Sequence, residues 1–478
     1  MKLVPAIVSL AVSLPVLAQT DVQWTNAAGG SFFDGSNWSG GAVPSALQNP
    51  RFTLPGMYTV TGAQPWEVLE LSVLQGDVTL AIFGETGVRA NRMMIGTVEG
   101  ERTIVRCPAT PWRTSSPGAI RLRNADFFSS GLQAFGLQVL NGSTATITGN
   151  VYDANMSVYV DHDSLLRCEG ATLFWANNLE SSGRLEIIDS VLSLNALTQT
   201  GGSIYAINST ISGEGVSANG GVYTFIDSVL RSPCCARTLY VSGEITFQGS
   251  QAAPDGLVSL QSGRVSLLQG ATSAWSVQLM GSSTLYVGPA SAVVSVWAQG
   301  ESVVRVSGQG TIGSSLAPGN RLLIGELGTV QFELDALTLP TAAPVLARDA
   351  AGSLMITVEH PNALQLGQQV PLFARDLSAG VFSAVELPTL HGGRSLQLVY
   401  EPTHISLLVV PDATHPCWTA DFDGDGDTGT DADIEAFFAC LAGNCCPACA
   451  RADFDGDGSS GTDADIEAFF RVLAGAPC

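Results

Sequence analysis

The most legible chemistry lies in the tail, where one acidic unit occurs twice at an offset of 32 residues. Asp421-Phe422-Asp423-Gly424-Asp425-Gly426 recurs as Asp453-Phe454-Asp455-Gly456-Asp457-Gly458. Aspartates at loop positions 1, 3 and 5 aim their oxygens at one point, and glycine at position 6 permits the sharp turn, an arrangement that collects a hard cation such as calcium. Position 7, Asp427 or Ser459, would add a backbone carbonyl. An EF-hand closes its shell with an acid at position 12, but that position is Ala432 or Ala464 here, and the acids stand at 11 and 13. We expect Asp433 and Asp465 to close two calcium sites, because each directly precedes an apolar helix, with Asp431 and Asp463 as the alternatives. The competing reading is an acidic, solvated loop. From 411 to 478 there are 14 acidic and 2 basic residues, and carboxylates crowded in this way resist folding until a cation joins them.

Cysteine is concentrated in the same tail: Cys417, Cys440, Cys445, Cys446, Cys449 and Cys478 stand in the last 62 residues, against four in the preceding 416. In an exported chain this reads as a disulfide-stapled module. The 32-residue offset relates Cys417 to Cys449 and Cys446 to Cys478, so the symmetric pairing is Cys417 with Cys446 and Cys449 with Cys478, leaving Cys440 with Cys445. Zinc is the rival reading, with His415 as its nearest histidine. Elsewhere, Asp161-His162-Asp163 offers two carboxylates that a strand would place on one face for acid and base work, although a turn is the ordinary fate of such a segment. Glu180, Glu186 and Asp189 form a second acidic group, and Arg106-Cys107-Pro108 with Arg113 a basic one. Cys234-Cys235 is compatible with a vicinal disulfide, a metal site or two buried thiols.

The elements that position the tail loops follow from periodicity. Ile434, Phe437, Phe438 and Leu441, and again Ile466, Phe469, Phe470 and Leu473, fall at i, i+3, i+4 and i+7, so each loop leads into one amphipathic helix ending at Gly443 or Gly475. The two stripes are expected to pack together as a small core. Two loop-helix units in tandem, without an entering helix, resemble the dockerin domain, and Gly443-Asn444-Cys445-Cys446 resembles the cysteine-rich GC type of bacterial secreted proteins. The resemblance covers about 62 of 478 residues. It implies docking onto a cohesin-like partner or surface scaffold, with Thr430, Asp431, Thr462 and Asp463 at the helix starts facing that partner.

Ahead of the tail, an apolar residue, any residue and a second apolar residue recur before a turn cluster. The second apolar position falls at Ile147, Cys168, Ile187, Ala206, Phe225, Phe247, Leu268, Val287 and Val306, at spacings of 19 to 22, with alternation failing at Ser266. A unit so short cannot bury its own apolar face, but strands stacked rung on rung give a continuous core. We therefore expect a mainly β protein, with a parallel β-helix or β-solenoid body and a small α-helical calcium-loop module at the C-terminus; a β-sandwich of hairpins is the alternative. Asp189-Ser190, Asn208-Ser209 and Asp227-Ser228, at a period of 19, mark equivalent corners. Trp24, Asn37-Trp38, Pro44 and Tyr58-Thr59-Val60 resemble the opening of passenger-type β-solenoids of bacterial secreted proteins. Gly308-Gln309-Gly310, Ala317-Pro318-Gly319 and the β segments from Phe382 to Val410 resemble their close. The expected boundaries are a β cap over 19–60, the solenoid over 61–320, a closing β segment over 321–410, a linker over 411–416 and the tail module over 417–478.

Residues 1–18 run from Lys2 through an apolar stretch to Val16-Leu17-Ala18, the pattern of a cleaved export signal. The only lysine is Lys2, so the mature chain would lack any lysine base, and a net charge of −22 disfavours nucleic acid and anionic membranes. No later stretch is apolar enough to span a bilayer. The expected protein is secreted or surface-associated and held by its tail to a protein partner, with a body that displays or contacts glycan. A polysaccharide hydrolase or lyase working along the solenoid is the main alternative, although Asp-Asp and Gly-His-Gly motifs are absent. An adhesin with a calcium-stiffened stalk is a further one.

Overall fold

A computed structural model describes residues 20–475, apart from 65, 83–87, 109–111, 115–118, 153–155, 232–237, 250, 253–256, 314–321, 376–380, 391–393, 412–419, 446–451 and 456–458. The export segment, Cys234-Cys235, Ala317-Pro318-Gly319, Cys417, Cys446, Cys449, Cys478, Asp457 and almost all of the expected linker lie outside the described residues. The protein is mainly β, a β-solenoid of about 13 turns followed by two short helices. Its contacts divide into two units, one up to Phe174 and one from Trp175.

In the first unit, strands at Met57–Gly62, Asp77–Ile82, Thr103–Cys107, Ala125–Ser129, Thr144–Ile147 and Leu165–Glu169 pair in parallel, each with the next. Alternation sends every second side chain inward, so Tyr58, Val78, Val105, Phe127, Ala145 and Leu166 form one buried column. The column is headed by an aromatic cluster in which Trp24, Phe32, Trp38 and Phe52 are all buried, with ring centroids 4.9–5.6 Å apart. Asn37 ties this head together: its side chain donates to the Ser31 carbonyl at 2.8 Å and accepts from Asn26 at 2.8 Å. Gly29 is required there, because at φ +83° a Cβ would meet the Thr59 carbonyl oxygen at 2.3 Å.

In the second unit the same register carries Leu185, Ile204, Tyr223, Ile245, Val265, Leu285, Val304, Val330 and Leu354 into one column. Ile187, Ala206, Phe225, Phe247, Leu267, Val287, Val306, Phe332 and Ile356 form its neighbour. Phe225 and Phe247 stack at 5.0 Å. The repeat reading is corrected at one rung: Val265 and Leu267 face inward, whereas Ser266 and Leu268 are only partly buried. A one-residue slip exchanges the two faces of a strand, and pairing Phe247 with Leu267 removes the apparent failure at Ser266.

The predicted corners are built as expected. Asp189, Asn208 and Asp227 take φ of +49°, +47° and +46°, the left-handed region that Asp and Asn tolerate best after glycine. Behind them runs a buried hydroxyl ladder: the Ser190 N–H donates to Ser209 Oγ, and the Ser209 N–H to Ser228 Oγ, both at 3.1 Å. Each hydroxyl donates in turn to a carbonyl of its own rung, Ile188, Ile207 or Ile226. The ladder satisfies groups that a tight corner would otherwise orphan.

The expected domain limits shift outward. Parallel pairing already joins Asp21–Gln23 to Asn49–Phe52, inside the expected cap, and continues past 320 to Ala384–Glu386. Antiparallel pairing enters with His404–Pro411, which pairs with Gln369–Arg375 and with Arg394–Tyr400. The closing device is thus this antiparallel segment, which covers the edge of a parallel stack.

Candidate metal centre

Two helices, α1 (Asp431–Leu441) and α2 (Asp463–Leu473), follow the two acidic loops. Between them lies a compact core of Phe422, Phe437, Cys440, Phe454, Ala468 and Phe469. Phe437 stacks on Phe469 with centroids 4.0 Å apart, and Phe422 and Phe454, the second residue of each loop, pack against both. The loops are therefore anchored at their first turn by an aromatic that alternates with the aspartates. Phe438 and Phe470 depart from the expected stripe: each is more than two-fifths exposed, and their rings lie 6.2 Å apart. Two helices joined along one seam bury i+3 of this pattern, half-bury i and i+7, and leave i+4 at its margin.

Asp421, Asp423 and Asp433 place one carboxylate oxygen each within 4.8 Å of the others, and Asp453, Asp455 and Asp465 do the same. Oxygens on opposite sides of a cation with metal–oxygen distances of about 2.4 Å are separated by about this much, so each triad fits one hard ion. Gly424 and Gly426 bend the first loop at φ of +78° and +97°. Their N–H groups donate to the Asp421 carboxylate at 2.9 and 3.2 Å. Asp425 and Asp427 are exposed, the N–H of Asp425 donating to Asp423 Oδ1 at 3.1 Å and that of Asp427 to Asp425 Oδ1 at 2.8 Å. Ser459 is exposed in the second loop.

The closing acids are the buried ones. Asp433 and Asp465 are each 0% exposed. Asp433 Oδ1 accepts from the N–H groups of Phe422 at 2.6 Å and Asp423 at 3.2 Å, and Oδ2 accepts from the Thr430 N–H at 2.8 Å and hydroxyl at 2.9 Å. Asp465 repeats all four bonds with Phe454, Asp455 and Thr462. Burial works to raise both carboxyls, but the hydrogen bonds outweigh it and hold them below the usual carboxylate range. Asp423 goes the other way, raised first by burial and then by the charges of Asp425, Asp433 and Asp421. The loop thus combines one anion satisfied by the protein with others that repel, which a cation relieves.

Thr430 and Thr462 are N-caps of capping boxes, their hydroxyls accepting from the N–H of Asp433 and Asp465. Sequence reading missed this role, although Thr-x-x-Asp before an apolar helix carries its signal. Both hydroxyls are spent inside the module, while Asp431 and Asp463 stand exposed at the helix starts. Cys440 and Cys445 form a disulfide across the end of α1.

The other candidates do not converge. Asp161-His162-Asp163 lies in a turn after the strand Ser157–Val160. Asp161 accepts from the Asn141 N–H at 2.7 Å and from the Ser164 hydroxyl, whereas Asp163 faces solvent beside His162 at 2.8 Å. The segment takes the turn that is its ordinary fate, and the two aspartates do not share a strand face. Glu186 pairs with Arg184, Asp189 holds a corner, and Arg106 pairs with Asp77 over the Phe128 ring. Cys107 and Cys168 are buried cysteines in one column, separated by Ser129 and Ile147, and burial pushes the Cys168 thiol up to about 12. Among the described residues no helix is long and apolar enough to cross a membrane. Comparison with protein-family models, with curated proteins and with solved structures finds no match.

Proposed function

We propose that the tail is a calcium-dependent, dockerin-like anchoring module, which fastens an exported β-solenoid to a cohesin-like protein or surface scaffold. The observation that carries this reading is the duplication of one oxygen-only triad, Asp421/Asp423/Asp433 and Asp453/Asp455/Asp465, on two loops that share one aromatic core. Hard oxygen donors without nitrogen or sulfur select calcium or magnesium, and a flexible, acid-rich loop favours the larger ion. Asp425, Asp457 and the carbonyl of Asp427 or Ser459 complete each shell in this reading. The Cys440–Cys445 disulfide accords with an oxidising, extracellular setting. The body acts as a display or glycan-contacting surface in this reading; Asp161 and Asp163, the acids first considered for catalysis, do not converge.

The test uses the full mature chain. Calcium titration followed by calorimetry should give two ions per chain, and purified cohesin modules should be retained with calcium and released by chelator. A tail whose helices and partner binding are indifferent to chelation refutes the proposal.

A further inference from the structure

Four consecutive rungs of the second unit, Thr284–Val287, Val303–Ser307, Thr329–Asp335 and Ser353–Glu359, leave a cleft of about 630 Å³ on their outer side. Its wall includes Tyr286, Ser307, Glu333, Asp335, Thr357 and Glu359. Three of these are carboxylates whose positions follow from register: Glu333 and Asp335 are two apart on one strand, and Asp335 is directly opposite Glu359 on the next. Arg305, the nearest cation, is engaged by Glu333 at 2.5 Å, and His360 lies 3.0 Å from Asp335. Tyr286 is partly buried, and burial, with the charge of Glu333 beside it, raises its phenol. Ser307 is 8% exposed, and its hydroxyl has no hydrogen-bond partner among the described residues.

These features restrict the occupant. An anion meets three carboxylates, and the two basic side chains described beside them, Arg305 and His360, each already face one. A wholly apolar molecule leaves the Ser307 hydroxyl unpaired, at the cost that attends any buried polar group without a partner. A neutral polyol has hydroxyls that donate to Asp335 and Glu359 and one that pairs with Ser307, with C–H faces to lay against Tyr286. We propose that this cleft binds a neutral saccharide, a subsite of one to three sugar units on the solenoid's outer face. The inference rests on the glycan-contacting reading of the body and gives that reading a place.

Glu359 is exposed, so Glu359→Gln removes a charge without opening the core, and Tyr286→Ala removes the aromatic wall. The full chain with saturating calcium is titrated by calorimetry with cello-, xylo-, manno-, laminari- and chitotetraose, and each variant is checked for an unchanged melting profile. The expected result is binding of at least one neutral tetraose, weakened about tenfold by Glu359→Gln and lost in Tyr286→Ala. Binding that survives both variants overturns the cleft while leaving a glycan-contacting body in place. Absence of binding to every tetraose overturns both. A cleft that takes spermidine or calcium more tightly than sugar, with Glu359→Gln abolishing that binding, makes it a cation site and overturns the proposal.

Discussion

Replacing Asp433 by alanine tests which acid fastens the metal loop. Its carboxylate serves four donors at 2.6–3.2 Å while fully buried. Truncating the acceptor leaves the buried Phe422 N–H and three part-buried donors unpaired at up to roughly 1–3 kcal/mol each, and because the four share one carboxylate the sum is sub-additive, about 3–5 kcal/mol in all. Asp431 is exposed in the first turn of α1 and serves only the helix dipole there, so Asp431→Ala should cost about 0.3–1 kcal/mol. Hydrogen exchange read by mass spectrometry on the full chain separates the two. At about 1.4 kcal/mol per decade, Asp433→Ala should lower protection over 430–441 by roughly 100- to 4,000-fold, and Asp431→Ala by less than tenfold. The second helix should loosen less, through the Phe437–Phe469 stack. Calorimetry should count one calcium ion in Asp433→Ala and two in Asp431→Ala. If Asp433→Ala keeps both its protection and two ions while Asp431→Ala loses them, the closing acid has been assigned to the wrong position.

Three further outcomes follow from the body. Leu267→Ala should destabilise the solenoid by about 2–5 kcal/mol, whereas Leu268→Ala, on the outer face, should cost about 1 kcal/mol or less, measured by denaturant melts; the reverse order would restore the discarded register. Ser209→Ala removes the acceptor for the Ser190 N–H at the centre of the corner ladder and should cost about 1–3 kcal/mol, with faster amide exchange at Ser190; unchanged exchange there would show the ladder to be idle. Asp335 is held below its ordinary value of 3.8, first by the Leu337 N–H and then by His360. A carboxyl with a depressed folded value contributes stability that is present above 3.8 and lost as pH falls through the folded value. The turn at 335–338 should therefore keep its amide protection at pH 5 and lose it on further acidification, and Asp335→Asn should erase that dependence; a turn equally protected at both ends of the range contradicts it.

The solenoid was readable because its evidence is local and repeated: alternation marks each strand, and spacings near 20 residues place one above the next. The slip at Leu267 and Leu268 arose where two adjacent leucines satisfy the pattern equally, so that only the partners Phe247 and Val287 decide between them. Cap boundaries were not readable, since a terminal rung such as Asp21–Gln23 has the same strand chemistry as an interior one. The two acidic triads were legible because their carboxylates lie close together in sequence, although Asp425, also expected as a ligand, stands outside its triad. By contrast Tyr286, Ser307, Asp335 and Glu359 come from four rungs with no common motif, and only the register brings them to one cleft.

That contrast extends to how the two parts handle charge. In the body, carboxylates meet arginines from rung to rung: Asp21 with Arg51, Asp126 with Arg102, Asp77 with Arg106, Glu244 with Arg264 and Glu333 with Arg305. The tail has two arginines for 14 acids, and Arg471 is taken by Glu467 on the exposed side of α2. In the proposed reading its loops draw from an external cation the neutralisation that the solenoid obtains from its own sequence. Chelation should accordingly raise exchange over 420–443 and 452–475 while leaving the column from Leu185 to Leu354 as protected as before. A solenoid that loosened along with the tail would mean that calcium also binds in the body, and that charge pairing between rungs is not what holds it.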